Sequence, residues 1–227
     1  MLLDISLSFT KAPAGNMVLV YGVQTSAPQA YPTVWRVQCG LGTAVDLVIP
    51  WEDALAVYYS DSKFAPDDTV RNIETAQCQL SNTCCLDTNQ VMQVSEHGPK
   101  GQVSLFNGSY CSWVFGCCLN NGEELSPHFA CSLGPEELVE AIPGPYLLVY
   151  FTTEEIAAGQ IIGPTPFDKD LKLALPFGEI VRIDLSLVAQ LAATDKAALT
   201  YTSGRWQLPP PFQGGQAPIC PPTIFPR

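Results

Sequence analysis

Cysteines are the residues of this sequence whose type and spacing most directly suggest chemistry. Seven of the nine lie between Cys78 and Cys131. Two segments of this region share the pattern C-x5-C-C-L-[DN], the first running from Cys78 to Asp87 and the second from Cys111 to Asn120. Thiols repeated in this way can join two segments by disulfides, pack as buried side chains, or supply ligands to a metal ion.

The adjacent cysteines of the two copies are candidates for structural residues. In an oxidising setting, neighbouring cysteines form disulfides with different partners, so we expect them to connect one copy to the other. If the thiols stay reduced, we expect them to pack in the interior as small apolar side chains. Nine is an odd number, so at least one thiol has no partner within the chain. The predicted structural cysteines are Cys84, Cys85, Cys117, Cys118 and Cys131.

A metal ion is a third interpretation of the same region. Zinc sites usually contain C-x2-4-C pairs, and the C-x5-C-C spacing departs from that pattern. A loop that gathers Cys78 and Cys111 with His97 or His128 would still offer thiolate and imidazole ligands. A metal ion therefore belongs among the expected cofactors.

The two histidines give no sign of catalysis. His97 lies in Ser95-Glu-His-Gly-Pro99, a sequence typical of an exposed turn, and His128 follows Pro127. The chain contains no GxGxxG, phosphate-binding loop, HExxH or GxSxG motif. We assign no catalytic residue and expect a protein that is not an enzyme.

Aromatic side chains supply the other candidate binding surface. We expect Tyr110 and Trp113 to line a pocket for a small aromatic or apolar molecule, such as a pigment, in a non-catalytic binding protein. The alternative is a lectin-like protein, in which Tyr201 and Trp206 stack on a glycan. A further alternative is a structural or storage protein whose aromatic residues all lie in the core.

The formal net charge of −11, from 22 acidic and 11 basic residues, limits the partners. Such a surface repels nucleic acid backbones and anionic lipids, so we expect neither nucleic acid nor a membrane as a partner. The first residues lack a basic region and an uninterrupted apolar stretch. We therefore expect a cytoplasmic protein, one exported without a visible signal peptide, or one from which the signal has been removed.

Alternating apolar residues predict an all-β fold. Strands are predicted at 3–9, 17–23, 34–39, 45–49, 55–59, 146–152, 171–175 and 180–187. Of these, 17–23 and 146–152 are apolar on both faces and are expected to be interior strands. The pattern favours a single-domain β-sandwich or barrel over residues 1–208, which includes the duplicated cysteine-rich region 78–131.

Local signals predict the turns and helices. Asn107-Gly108 predicts a type I′ hairpin, because both turn positions need positive φ angles, and puts Trp113 on a buried central strand. Asn121-Gly122 predicts a second hairpin. Asn107 also begins a glycosylation sequon, which matters only in a secreted protein. Short helices are predicted at 132–141, 152–159 and 187–198.

The end of the chain is predicted to be an extended arm. Residues 209–227 contain seven prolines, which exclude helix and sheet interior. Ile219, Ile224 and Phe225 suggest that the arm packs on the body or on a neighbouring subunit, so a homo-oligomer is an expected assembly.

Overall fold

The computed structural model shows a β protein: every regular element among the described residues is a strand. The described residues are 2–9, 15–26, 30–40, 42, 44–50, 55–120, 124–162, 181–184, 197–202 and 205–207. The strands are β1 (Leu2–Phe9), β2 (Asn16–Thr25), β3 (Ala30–Pro32), β4 (Val34–Gln38), β5 (Ala44–Pro50), β6 (Ala56–Ser60), β7 (Glu74–Gln77), β8 (Thr83–Leu86), β9 (Met92–Ser95), β10 (Val103–Asn107), β11 (Trp113–Asn120), β12 (Leu125–Leu133), β13 (Leu138–Thr152), β14 (Val181–Asp184), β15 (Ala197–Thr202) and β16 (Arg205–Gln207). The prediction of an all-β fold is confirmed.

The strands of the described residues form three sheets. The seven-stranded sheet has the order β4-β2-β13-β10-β8-β9, with β14 paired to β13. The five-stranded sheet has the order β3-β12-β11-β6-β7, and a four-stranded sheet has the order β16-β15-β1-β5. Side chains of the seven- and five-stranded sheets share one buried cluster, so these two sheets pack face to face as in a β-sandwich.

Alternation along the strands builds the core between the two sheets. Met17 and Leu19 of β2 point into it from one side, and Phe115 of β11 and Phe129 of β12 from the other. Trp35 of β4 is fully buried there and donates its indole N–H to the Leu119 carbonyl of β11, at 3.2 Å. This bond satisfies the polar edge of the ring and links the two sheets.

Strand β2 is buried on both faces, as its continuous apolar sequence predicted. Between Met17 and Leu19 the side chain of Val18 points outward, and it is also fully buried. It packs with Leu148 and Tyr150 of β13, which lies beside β2. The predicted interior strand at 146–152 is thus the second half of the 15-residue β13.

The Asn107-Gly108 hairpin prediction was wrong. Neither residue has a positive φ angle, and β10 pairs with β8 and β13 instead of β11. The buried Asn107 amide donates to the carbonyls of Cys111 (2.8 Å) and Leu133 (2.9 Å) and accepts from the backbone N–H of Ser109 (3.0 Å). These bonds hold a connection that crosses from the seven- to the five-stranded sheet, which overrides the local Asn-Gly turn preference.

The helix predicted at 132–141 was also wrong. Strand β12 continues to Leu133 and β13 begins at Leu138, so only a tight turn separates them. Glu136 takes a positive φ of 61°, and the Gly134 backbone N–H donates to a Glu137 carboxylate oxygen at 2.7 Å. The proline and glutamates that resembled a helix start therefore serve a turn.

The pattern at 152–159 forms a turn in place of the predicted helix. The Thr152 hydroxyl accepts from the backbone N–H of Glu154, two residues on, at 3.0 Å, but residues 153–159 form bends and a turn and no helix. Gly159 has a φ of 80° and closes the turn.

Other predictions fall wholly or partly on residues that the structure does not describe. The hairpin at Asn121-Gly122 is present as the antiparallel pair β11–β12, although the turn itself lies outside the described residues. Residues 171–175, most of 187–198 and the arm 209–227 also lie outside them, while Ala197 and Ala198 are in strand β15 and not in a helix. No helix among the described residues is long and apolar enough to cross a membrane.

Candidate binding groove

An open groove of about 600 Å³ lies on the outer face of the seven-stranded sheet. It is lined by Thr83, Glu96, His97, Gly98, Pro99, Ser104, Leu138 and Glu140. Most of these side chains are polar. The groove is therefore the candidate site in which a ligand would find several hydrogen-bonding groups at once.

Three neighbouring strands form the floor of the groove. Ser104 of β10 is the register partner of both Thr83 on β8 and Glu140 on β13. The adjacent residues Cys84 and Val139 point into the core, so alternation turns the three polar side chains outward. The sheet thereby places two hydroxyls and a carboxylate in one row.

A short segment after β9 forms the wall, and several bonds fix it. Thr83 donates its hydroxyl to the His97 carbonyl at 2.7 Å, and the His97 N–H donates to the Ser95 hydroxyl at 3.3 Å. Gly98 lies so close to β8 that a Cβ there would stand 2.7 Å from the Asn82 carbonyl. A larger residue at 98 would push the wall away from the floor.

The groove combines negative charge with one apolar side chain. Glu96 and Glu140 contribute carboxylates, and no lysine or arginine of the described part of the chain lines the groove. Leu138 is 54% exposed, which is high for a leucine in a strand, and stands beside Glu140 at the β13 end. Such a surface offers hydrogen-bond acceptors next to an apolar platform.

The two histidines that were predicted as metal ligands lie in different environments. His97 lines the groove, whereas His128 is fully buried. Cys117 pairs with Phe129 and Cys118 with Pro127, so His128 is the extra residue of a β-bulge, which redirects its side chain.

The interior around His128 contains several polar groups without hydrogen-bond partners. Its ring lies 5.7 Å from that of Tyr21 and 5.5 Å from that of Phe129. Neither His128 nitrogen is hydrogen-bonded, nor is the Tyr21 hydroxyl. Burial lowers the pKa of His128 to about 3 and raises that of Tyr21. The imidazole is therefore neutral at physiological pH.

The structure does not bring the predicted aromatic ligand-binding residues into one pocket with the groove. Tyr110 is 84% exposed. Trp113 is half-buried, donates its indole N–H to the Ser109 hydroxyl at 3.0 Å, and meets the Tyr59 ring edge-to-face at 5.4 Å. Tyr201 and Trp206 are register partners on β15 and β16, and their side chains lie outside what the structure describes.

The predicted structural cysteines follow the alternation of their strands. Cys84 on β8 and Cys117 on β11 face the shared core from opposite sheets. Cys131 on β12 joins them there. The adjacent residues face outward: Cys85 is half-buried, and Cys118 is fully buried in a second apolar cluster on the outer face of the five-stranded sheet. The two copies thus contact the same core from both sides.

Five of the described cysteines are buried thiols, and the predicted metal ligands are separated from one another. The described cysteines, which are all except Cys220, are free thiols. No three His, Cys, Asp or Glu side chains among the described residues converge as metal ligands. Cys78 lies in the core, whereas Cys111 and His97 are exposed and His128 is enclosed by aromatic rings, so the predicted metal ligands are apart.

The glycosylation sequon lies in the interior. Asn107 is fully buried, and both hydrogens of its amide nitrogen are donated to backbone carbonyls. A glycan on this nitrogen would remove at least one of those bonds and would have no room. The folded state is therefore incompatible with glycosylation at Asn107.

Sequence reasoning missed most of the groove. Val103-Ser104-Leu105 and Val139-Glu140-Ala141 do alternate, which marks Ser104 and Glu140 as outward-facing. Their meeting depends on the parallel pairing of β8 with β10 and on the β10–β13 register, which no local pattern reveals.

No protein-family model, curated protein or solved structure matches this chain.

Proposed function

We propose that this chain is a non-catalytic binding protein whose groove holds a hydroxyl-rich ligand, with a glycan as the best fit. The observation that carries the proposal is the row of Thr83, Ser104 and Glu140 on the groove floor. Hydroxyls and carboxylates form the hydrogen bonds that a sugar requires, and the exposed Leu138 suits the apolar C–H face of a sugar ring.

Charge and openness support a glycan over other ligands. The two carboxylates and the net charge of −11 disfavour anionic ligands such as phosphates. An aromatic pigment, the ligand first expected, is disfavoured because neither Tyr110 nor Trp113 lines the groove. A carboxylate pair catalyses best in a site that excludes water. Because this groove is open to water, it suits binding better than catalysis.

Binding to an array of neutral glycans tests the proposal, followed by calorimetry on the strongest hit. Glu140→Gln should weaken binding at least about tenfold, because a hydrogen bond to a charged group contributes about 1.5–3 kcal/mol. Glu74→Gln, an exposed change on β7 of the other sheet, is the matched control and should bind like the parent chain. Absence of binding, equal affinity of Glu140→Gln, or cleavage of the glycan would each refute the proposal.

A second candidate is a structural subunit that assembles with its own kind. It is favoured by the apolar residues Ile219, Ile224 and Phe225 near the end of the chain. The proline-rich arm 209–227 would supply the contact to a neighbouring copy. Light scattering on the full chain and on a chain ending at Leu208 tests this candidate. An oligomer that the shorter chain cannot form supports it, and two monomers refute it.

A further inference from the structure

The dipeptide Asn107-Gly108 is chemically labile in a flexible chain. There the backbone nitrogen of Gly108 can attack the side-chain carbonyl carbon of Asn107, because glycine has no side chain to hinder the approach. The amide is then lost as ammonia. The outcome in the folded protein depends on how the fold holds the attacking nitrogen and the amide.

The fold binds the attacking nitrogen. The Gly108 N–H donates to the Leu86 carbonyl of β8 at 2.8 Å. A Cβ at position 108 would stand 2.9 Å from the same carbonyl oxygen, so this contact with β8 requires glycine. The proton that must leave before the nitrogen can attack is therefore held in a hydrogen bond, and packing keeps the labile dipeptide in the sequence.

The fold also fixes the side-chain amide that would be attacked. Both hydrogens on the Asn107 amide nitrogen are donated, to the carbonyls of Cys111 (2.8 Å) and Leu133 (2.9 Å). The amide oxygen accepts from the backbone N–H and the hydroxyl of Ser109, at 3.0 and 2.7 Å. The side chain is fully buried. These four bonds use the full hydrogen-bonding capacity of the amide, and turning it towards Gly108 would break them.

The products of the reaction do not fit the same site. Aspartate at position 107 would place a carboxylate, which only accepts hydrogen bonds, against the carbonyls of Cys111 and Leu133. A buried charge that faces two carbonyl oxygens is strongly destabilising. Isoaspartate would add a carbon to the main chain where the Asn107 N–H and carbonyl bond to Glu137 and Glu136, at 3.0 and 2.7 Å.

We propose that Asn107 is a deamidation site that the fold closes and unfolding opens, and that its reaction prevents the chain from refolding. In the unfolded chain, hydroxide removes the Gly108 N–H proton, and the nitrogen attacks the amide carbon of Asn107. The bond from this carbon to the amide nitrogen breaks, ammonia leaves with a proton from water, and a succinimide ring forms. Water then opens the ring to aspartate or isoaspartate. One water is consumed and one ammonia is released, without oxidation or reduction.

This site would link chemical ageing of the chain to its folding. A molecule that stays folded keeps the Asn107 amide, whereas a molecule that unfolds is exposed to its loss and then remains unfolded. The fold thus protects the labile group on which its own connection between the sheets depends.

Mass spectrometry on the full chain tests the protection. The protein is incubated at mildly alkaline pH with dithiothreitol, with and without guanidinium chloride, and digested with trypsin. Deamidation adds about 1 Da to peptide 101–169, and fragment ions assign the change to Asn107 or to Asn121 of the second Asn-Gly pair. The reaction at Asn107 should be at least about tenfold faster in guanidinium chloride, because the folded chain must first break its hydrogen bonds.

A synthetic peptide of residues 103–112, which is too short to form the sheets, measures the effect of guanidinium chloride on the reaction itself. The rate at Asn107 in the protein is divided by the rate in the peptide in the same solvent. A ratio near one without denaturant would show that the fold gives no protection and overturns the proposal.

Refolding tests the second part of the proposal. After incubation in guanidinium chloride, the denaturant is diluted, and folded molecules are separated from unfolded ones by size-exclusion chromatography. Deamidated Asn107 should be at least about tenfold rarer in the folded fraction than in the unfolded fraction. Equal shares in the two fractions would contradict the assignment.

Two variants compare the same chemical change at a buried and at an exposed asparagine. Asn107→Asp reproduces one product directly and should unfold at a lower guanidinium chloride concentration than the parent chain, or fail to fold. Asn89→Asp, at an exposed residue between β8 and β9, should keep the parental midpoint. A parental midpoint for Asn107→Asp overturns the proposal.

Discussion

The outer face of the five-stranded sheet differs from the part of the seven-stranded sheet that β8, β10 and the start of β13 form: the first is covered by an apolar layer, and the second is open. On the five-stranded sheet, Tyr58, Val114 and Ala130 lie under an apolar layer that includes Val70 and Ile161. On the seven-stranded sheet, Thr83, Ser104 and Glu140 line an open groove. The same β architecture thus produces a packing surface on one side and an open groove on the other.

The cover of the five-stranded sheet is held by backbone bonds between two distant segments. Val70 donates its N–H to the Gly159 carbonyl at 3.0 Å, and Ile161 donates to the Asp68 carbonyl at 2.8 Å. The Tyr31 and Phe64 rings stack at 5.4 Å at the edge of this layer. Because of this difference, we expect substitutions on the covered face to lower the stability of the fold. We expect substitutions in the groove to weaken the proposed glycan binding without lowering stability.

The largest expected effect is at Gly116 on the covered face. A Cβ at this position would collide with the Phe129 carbonyl and stand 2.7 Å from the Tyr58 ring. Tyr58 is itself held by a 2.8 Å hydrogen bond to that carbonyl. Gly116→Val should therefore lower the free energy of unfolding by about 3 kcal/mol or more in a urea titration.

Gly134→Ala is the control for this change. A Cβ at Gly134 would meet its nearest neighbour, the Glu137 side chain, at 3.4 Å, and the free energy of unfolding should change by less than about 0.5 kcal/mol. Equal unfolding midpoints for Gly116→Val and the parent chain would show that the covered face is not closely packed.

Acid sensitivity tests the burial of His128. The pKa of His128 is about 3 in the folded state, while an unfolded histidine titrates near 6.5. As the pH falls from 6.5 towards 3, His128 binds a proton in the unfolded chain but stays neutral in the folded chain. This residue alone should then lower stability by about 1.4 kcal/mol per pH unit, and its effect should vanish above pH 6.5.

Urea titrations from pH 7 to pH 4 on His128→Leu measure this contribution. The variant should lose less stability on acidification than the parent chain, and it should fold at neutral pH because no buried partner is left unsatisfied. Identical slopes for His128→Leu and the parent chain would mean that His128 is accessible to protons in the folded state.

The smallest expected effect on stability is in the groove. The side chain of Glu140 lies on the groove floor at the edge of solvent. Glu140→Gln should therefore change the free energy of unfolding by less than about 0.5 kcal/mol. A loss above about 2 kcal/mol would show that Glu140 is a structural residue and would remove the contrast between the two faces.

The sequence predicted the strands well because burial alternates at short range. Met17 to Val23 follows from its continuous apolar sequence, which predicts a strand buried on both faces. Asn107 shows where local reasoning failed: its amide bonds to Leu133, 26 residues away in sequence, and such a bond outweighs the Asn-Gly turn preference. The groove was equally hidden, because it depends on strands β8, β10 and β13 meeting in one register.

An NMR titration of the ¹⁵N-labelled protein with the strongest-binding glycan tests the central claim most directly. The account predicts chemical-shift changes concentrated at Thr83, Glu96–Gly98, Ser104 and Leu138–Glu140, with the covered face around Tyr58 unchanged. Changes centred on Tyr110 and Trp113, changes on the covered face, or no changes at saturating glycan would contradict the assignment of the groove as the binding site.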